Sequence, residues 1–290
     1  MSLFSPLTPF ILAVVCICVV AWWRNKGRVK RQKNIAFEKR TRSKRWENED
    51  LQDEAQLSLE ENVDECLEPE VEIHHIPYSM KHYQKEEMIH RANEFYHLMN
   101  GRRSVRFFSK EMVPMEVIES IIRTAGTAPS GAHTEPWTFV VIQDQEMKHQ
   151  IREIIEEEEE INYLKRMGQN WVTDLQRLRT NWIKEYLDTA PYLILIFKQI
   201  YGILSTGRKT HYYNEISVSI SCGILLAALQ NAGLVTVTST PLNCGPRVRE
   251  ILKRPVNEKL LLLLPVGYPA KYATVPDLKR KSLDEIMVYV

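Results

Sequence analysis

Thr127-Ala128-Pro129-Ser130-Gly131-Ala132-His133-Thr134-Glu135-Pro136-Trp137 packs glycine, proline and small side chains between a helical pattern upstream and a strand pattern downstream. Small side chains at such a junction let a flat, bulky ligand lie against main-chain N–H and C=O groups, and the prolines fix the path of the chain. Taken alone, the stretch reads equally well as an ordinary helix-to-strand loop. One predicted helix earlier, Arg102-Arg103-Ser104-Val105-Arg106-Phe107 gathers three guanidinium groups and a hydroxyl. Arg binds phosphate through a planar fork and stays charged at any physiological pH. The cluster therefore reads as an anion site or as a solvated basic patch after a helix C-terminus.

Around these two segments the apolar spacing is mostly helical, over residues 88–99, 114–125, 145–167, 172–187 and 213–232. Short β-branched and apolar runs at residues 137–142, 192–197, 234–237 and 260–266 read as strands, each bounded by Pro, Gly or Asp. Helices and strands alternating in this way predict an α/β or α+β fold with helices covering a central sheet. Residues 216–229 are apolar almost all round, the pattern of a helix buried in a core or at a subunit interface. Neither G-x-G-x-x-G nor a P-loop motif occurs, which argues against dinucleotide and P-loop nucleotide sites.

A chain of 290 residues, 44% hydrophobic and 26% charged, holds one sizeable core plus appendages, and a net charge of +1 points to no nucleic-acid partner. That average hides an asymmetry. Residues 24–45 are rich in Lys and Arg, whereas residues 47–72 carry acids and no basic side chain, so residues 24–72 read as a charged flexible linker. Ahead of it, residues 3–23 hold no charge and end in Trp22 and Trp23 before a basic run. This matches a single membrane-spanning helix whose flanking charge places the following domain on the cytosolic side. Residues 1–23 are thus the expected anchor and residues 73–290 the expected globular domain. The five cysteines have no metal-ligand spacing and imply no disulfide framework, which favours a reducing compartment. His133 and the pair His74-His75 are isolated, so no metal site is expected.

Together the Arg-Arg-Ser motif and the Ala-Pro-Ser-Gly loop resemble the nitroreductase family of FMN-dependent flavoproteins. Residues 73–290 resemble in particular its iodotyrosine-dehalogenating branch, through the run from Glu156 to Tyr163, Thr180-Asn181-Trp182-Ile183-Lys184-Glu185-Tyr186, and Thr238-Ser239-Thr240-Pro241. The resemblance implies a central mixed sheet flanked by helices in an intertwined homodimer, with flavin at the interface and Ile286-Met287-Val288-Tyr289-Val290 as a final pairing strand. It implies FMN contacts from Arg102, Arg103, Ser104, Val105, Arg106, Ser130, Gly131, Thr238, Ser239, Thr240 and Arg280. Thr240 would donate to flavin N5 and favour one-electron transfer. Ser239 stands where that branch usually has Thr.

Glu159 and Tyr163 are four residues apart and share a helix face, and Lys184 follows on the next helical segment after a break at Gly168. On sequence alone an ion pair between Glu159 and Lys184 is the better reading. The resemblance reverses this: Glu159 would take the α-ammonium of an amino-acid substrate, Lys184 and Tyr163 its α-carboxylate, and the Ala132 N–H its phenolate. The implied reaction is reductive removal of iodide from mono- and diiodotyrosine for iodide salvage in thyroid hormone metabolism. NADPH would be the ultimate donor, through a separate reductase because no dinucleotide fingerprint is present. A broad nitro- or quinone reductase and a membrane-tethered halotyrosine-binding protein are the alternatives.

Overall fold

The computed structural model describes residues 73–205 and 207–290. The expected anchor and the whole of the expected linker lie outside the described residues. Among the described residues no helix is long and apolar enough to cross a membrane.

In chain order the elements are α1 (Lys85–Asn100), α2 (Met115–Ala125), a short 3-10 turn (Gly131–His133), β1 (Trp137–Ile142), α3 (Gln145–Ile161), a π-helical turn (Asn162–Arg166), α4 (Gln169–Arg177) and α5 (Tyr186–Thr189). They continue with β2 (Tyr192–Gln199), β3 (Tyr201–Leu204), β4 (Gly207–Thr210), α6 (Asn214–Asn231), β5 (Val235–Thr236), α7 (Gly245–Ile251), β6 (Glu258–Gly267) and α8 (Leu283–Ile286). The main sheet has the order β1-β2-β6-β5 with antiparallel pairs throughout. A parallel bridge from Ser104 to Thr236 adds the arginine segment at the β5 edge and makes the sheet mixed.

β2 reads Tyr-Leu-Ile-Leu-Ile-Phe because both of its faces are covered. Ile194 and Ile196 pack with Ile118, Ile121, Val218 and Leu225 of α2 and α6. Leu193, Leu195 and Phe197 pack on the other side with Ile151 and Ile155 of α3 and Val248 of α7. The result is three layers, helix on sheet on helix, which is the α+β arrangement read from the alternating pattern.

Three expectations need correction. The helix expected at 172–187 ends at Arg177: Arg179 has φ 52°, and Asn181 Oδ1 accepts from Ile183 N at 3.0 Å in a side-chain turn that competes with helix. The helix expected over 145–167 keeps its direction but loosens to π geometry after Ile161. Ile286, expected to open the final pairing strand, instead ends α8, and Val288, Tyr289 and Val290 are exposed. The β3–β4 hairpin and α7 carry no clear periodic signal in the sequence. Cys222 and Cys244 are buried free thiols.

Candidate active site

Pairing along the β5 edge positions the arginine segment. Val105 N donates to Thr236 O at 3.0 Å, Ser109 N to Tyr268 O at 2.9 Å, and Ala270 N to Phe107 O at 3.0 Å, so residues 104–109 are laced to the ends of β5 and β6. The chain after β5 stays in register, since Ser239 and Leu263 exchange two backbone bonds of 2.9 Å each. Thr238 and Thr240 flank that bridge and are exposed. The C-terminal segment crosses back over the same edge. Arg280 donates to Asn100 O at 3.0 Å and to Arg102 O at 2.8 Å, and Arg103 donates to the Pro276 carbonyl. Arg102, Arg103, Arg106 and Arg280, far apart in sequence, thus share one region with Ser104, Val105, Thr238, Ser239 and Thr240.

A cleft of about 740 Å³ opens beside them, lined among others by Ser104, Arg106, Thr180, Ile183, Tyr186 and Pro276. Arg106 Nε is buried and has no hydrogen-bond partner among the described residues, as is Thr236 Oγ1. An unpaired buried donor on a guanidinium is costly unless a ligand completes it.

Behind the wall of this cleft the segment around Lys184 closes on the end of α3. Lys184 Nζ lies 3.9 Å from Glu159 Oε2 and 5.7 Å from the centre of the Tyr163 ring, and it also donates to Asn181 O. Trp171 and Trp182 meet the Tyr163 ring edge-on, with centroids at 4.6 Å and 5.7 Å. Burial raises the pKa of Glu159, opposed by Lys184 and by an Asn162 hydrogen bond. Burial, opposed by Glu159, lowers that of Lys184, and Arg106 pushes it the same way as burial. The Tyr163 phenol is pushed up to about 12 by burial first and by Glu159 second, so it remains a neutral donor at physiological pH. A carboxylate, a phenol and an ammonium are therefore gathered next to Arg106 in a nearly dry pocket.

Ser130, Gly131 and Ala132 are not brought to this cluster. Their loop leads into β1, on the opposite edge of the sheet from β5, three strand spacings or roughly 14 Å away. The loop is nonetheless built with care. Ala132, His133 and Glu135 have φ of 49°, 54° and 46°. Gly131 N donates to Ser217 Oγ at 3.4 Å, and a Cβ at Gly131 would stand 2.6 Å from Tyr212 O. Three non-glycine residues in the left-handed region within four positions are strained geometry of the kind concentrated at ligand sites. Sequence reading had missed Asn162, Trp171, Trp182, Thr236 and Tyr186, because nothing in linear spacing marks an unpaired hydroxyl or an aromatic clamp.

The chain belongs to the nitroreductase family, whose model matches residues 99–268. Within that class it is similar to iodotyrosine deiodinase 1 of Homo sapiens, with 65% identity over 286 residues covering 98% of this chain and 99% of the relative. It is likewise similar to iodotyrosine deiodinase of Danio rerio, with 62% identity and complete coverage of both chains. Among solved structures it resembles oxidized iodotyrosine deiodinase bound to FMN and 3-iodo-L-tyrosine, with a TM-score of 0.57 and 33% identity, covering 65% of this chain and 96% of that one.

Proposed function

We propose that the protein binds FMN and reductively removes iodide from mono- and diiodotyrosine, giving tyrosine and iodide. The observation that carries this reading is the dry trio of Glu159, Tyr163 and Lys184 beside the arginine cluster. It presents to an amino-acid zwitterion one negative, one neutral-donor and one positive group, which match its ammonium and carboxylate. The similarity to a relative whose structure holds FMN and 3-iodo-L-tyrosine supports it.

The residues present suit FMN. Arg102, Arg103 and Arg106 provide forked donors for a phosphate and for the pyrimidine edge, and the buried unpartnered Arg106 Nε needs an acceptor. Val105 adds backbone beside Ser104, Arg280 donates to the carbonyls of Asn100 and Arg102 at the arginine segment, and Thr238, Ser239 and Thr240 line the adjacent edge. Ser130 and Gly131 would come from the loop of a second copy in a homodimer, with Ala132 donating its N–H to the phenolate of the substrate. When bound and reduced, FMN would supply the two electrons that the reaction consumes together with one proton: a carbon–iodine bond breaks, a carbon–hydrogen bond forms, and iodide leaves. NADPH is the ultimate donor through a separate reductase.

The protein's own part is to bind, orient and exclude water. Glu159 and Lys184 face each other at 3.9 Å, so the zwitterion enters by exchange, ammonium for ammonium at Glu159 and carboxylate for carboxylate at Lys184. Tyr163, held neutral, donates to that carboxylate. Closure of residues 162–184 over the ligand dries the reacting ring. Thr240 would offer a hydroxyl to the flavin edge. A single-pass anchor at residues 1–23 and a linker over 24–72 would hold the domain on the cytosolic face of a membrane. Steady-state turnover of 3-iodotyrosine by the FMN-loaded full chain, followed as iodide and tyrosine, tests the reading. Turnover that survives Glu159→Gln, Tyr163→Phe and Lys184→Gln unchanged would return the protein to general nitro- or quinone reduction.

A further inference from the structure

Asn162 stands at the first position of the π-helical turn, 1% exposed, with no role in the reading above. Its amide orientation is determined by chemistry. Arg166 Nη1 donates to Asn162 Oδ1 at 2.9 Å. A guanidinium only donates, so the amide oxygen must face it and the amide nitrogen must face the other way. That nitrogen donates to Glu159 Oε1 at 3.1 Å. Arg166 is in turn held by Glu158 Oε2 at 3.2 Å, and the side chains of this pair are 2% and 1% exposed. The π geometry makes this possible: Met167 N bonds back to Asn162 O at 3.0 Å, five residues earlier, and the widened turn lets Asn162 sit between Arg166 and Glu159.

The outcome is an asymmetric carboxylate. Glu159 Oε1 is fixed by Asn162, and Oε2 is left facing Lys184 at 3.9 Å, beyond hydrogen-bond distance. We propose that Asn162 is a positioning residue for substrate recognition: aligned by Arg166 and Glu158, it locks the Glu159 carboxylate so that one oxygen is presented to the ammonium of the incoming amino acid. This rests on the reading of Glu159 as the ammonium site. Without the lock the carboxylate rotates, and the entropy of fixing it falls on the binding step.

The test uses the full chain with oxidised FMN and two probes, 3-iodo-L-tyrosine and 3-(4-hydroxy-3-iodophenyl)propanoate, which lacks the ammonium. Affinities are measured by calorimetry for the wild type, Asn162→Ala, Asn162→Leu, Glu159→Gln and the Asn162→Ala/Glu159→Gln double variant. Leu fills the same space and excludes the water that could stand in for the amide in the Ala variant. The expected result is a roughly ten- to hundredfold loss for the amino acid in both Asn162 variants. Propanoate affinity stays within about twofold, and the double variant is no worse than Glu159→Gln. Equal weakening of both probes, no weakening, or loss of FMN or melting temperature in both Asn162 variants overturns the proposal and leaves the network a structural role. A wild type that binds the two probes equally overturns the reading of Glu159 itself, and with it the proposal.

Discussion

At Glu159 and Lys184 a charged pair is held in a nearly dry pocket without ideal contact, since 3.9 Å is too long for a hydrogen bond. Such a pair contributes little to stability and costs desolvation on both sides. The paired variant Glu159→Gln/Lys184→Met should therefore melt at or above the wild-type temperature while losing affinity for 3-iodo-L-tyrosine, which thermal scans and calorimetry on one preparation would check. Removing one partner is different. Lys184→Met strands the Glu159 carboxylate and should destabilise the chain by about 3 kcal/mol at neutral pH. The pH dependence has a definite sign. Burial already raises the folded-state pKa of Glu159 and Lys184 opposes that rise, so without Lys184 it climbs further. A carboxyl raised on folding favours the folded state below its ordinary range and loses that contribution as pH rises through the folded value. The Lys184→Met deficit should thus shrink as pH is lowered from neutrality toward the ordinary carboxylate range. A deficit that is flat across that window would show that Glu159 does not carry the stranded charge.

Among the elements, the loop before β1 and the segment after α4 carry the most information, and they were legible to different degrees. The small residues at 128–132 signalled close approach of a ligand, and within the chain Gly131 closely approaches Tyr212 O, which stands where a Cβ would have to go. Gly131→Ala should force the loop outward and destabilise the fold by about 1–3 kcal/mol, read from denaturant midpoints. An unchanged midpoint would mean that the Tyr212 turn yields freely. Residues 172–187 looked like one helix because Leu and Trp recur at helical spacing, yet the polar side chain of Asn181 and the left-handed Arg179 break it. Periodicity reports which side faces inward and is blind to a side chain competing for its own backbone. The same holds for the turn at residues 162–166, where Glu159 and Tyr163 were placed together correctly and Asn162 between them had no signal.

For the molecule as a whole, the arginine segment and the Ser130-Gly131-Ala132 loop occupy opposite edges of the sheet. α6 leaves Tyr213, Ile216 and Ile220 exposed in a stripe, the Ile216 side at 61%. None of the residues of α1 is buried, and the C-terminal segment projects Ile286 to Val290 into solvent. Apolar exposure on that scale marks an interface, and the flavin site proposed to be shared between two copies would place one there. Ile216→Asp with Ile220→Asp should give a monomer by light scattering that loses FMN on dilution. A monomer that keeps its flavin would mean that one chain completes the site. The arginine and trio residues could be singled out from sequence because their charges are chemically distinctive. Their assembly was not readable that way, since it depends on how the C-terminal segment and the segment around Lys184 fold back against the arginine segment and the end of α3.

The central claim is that electrons delivered to this protein leave as iodide. The full chain loaded with FMN, reduced anaerobically and mixed with a limiting amount of 3,5-diiodotyrosine, should show flavin reoxidation with one iodide released for every two electrons lost, together with deiodinated product. Binding of diiodotyrosine with the flavin remaining reduced and no iodide appearing would contradict it.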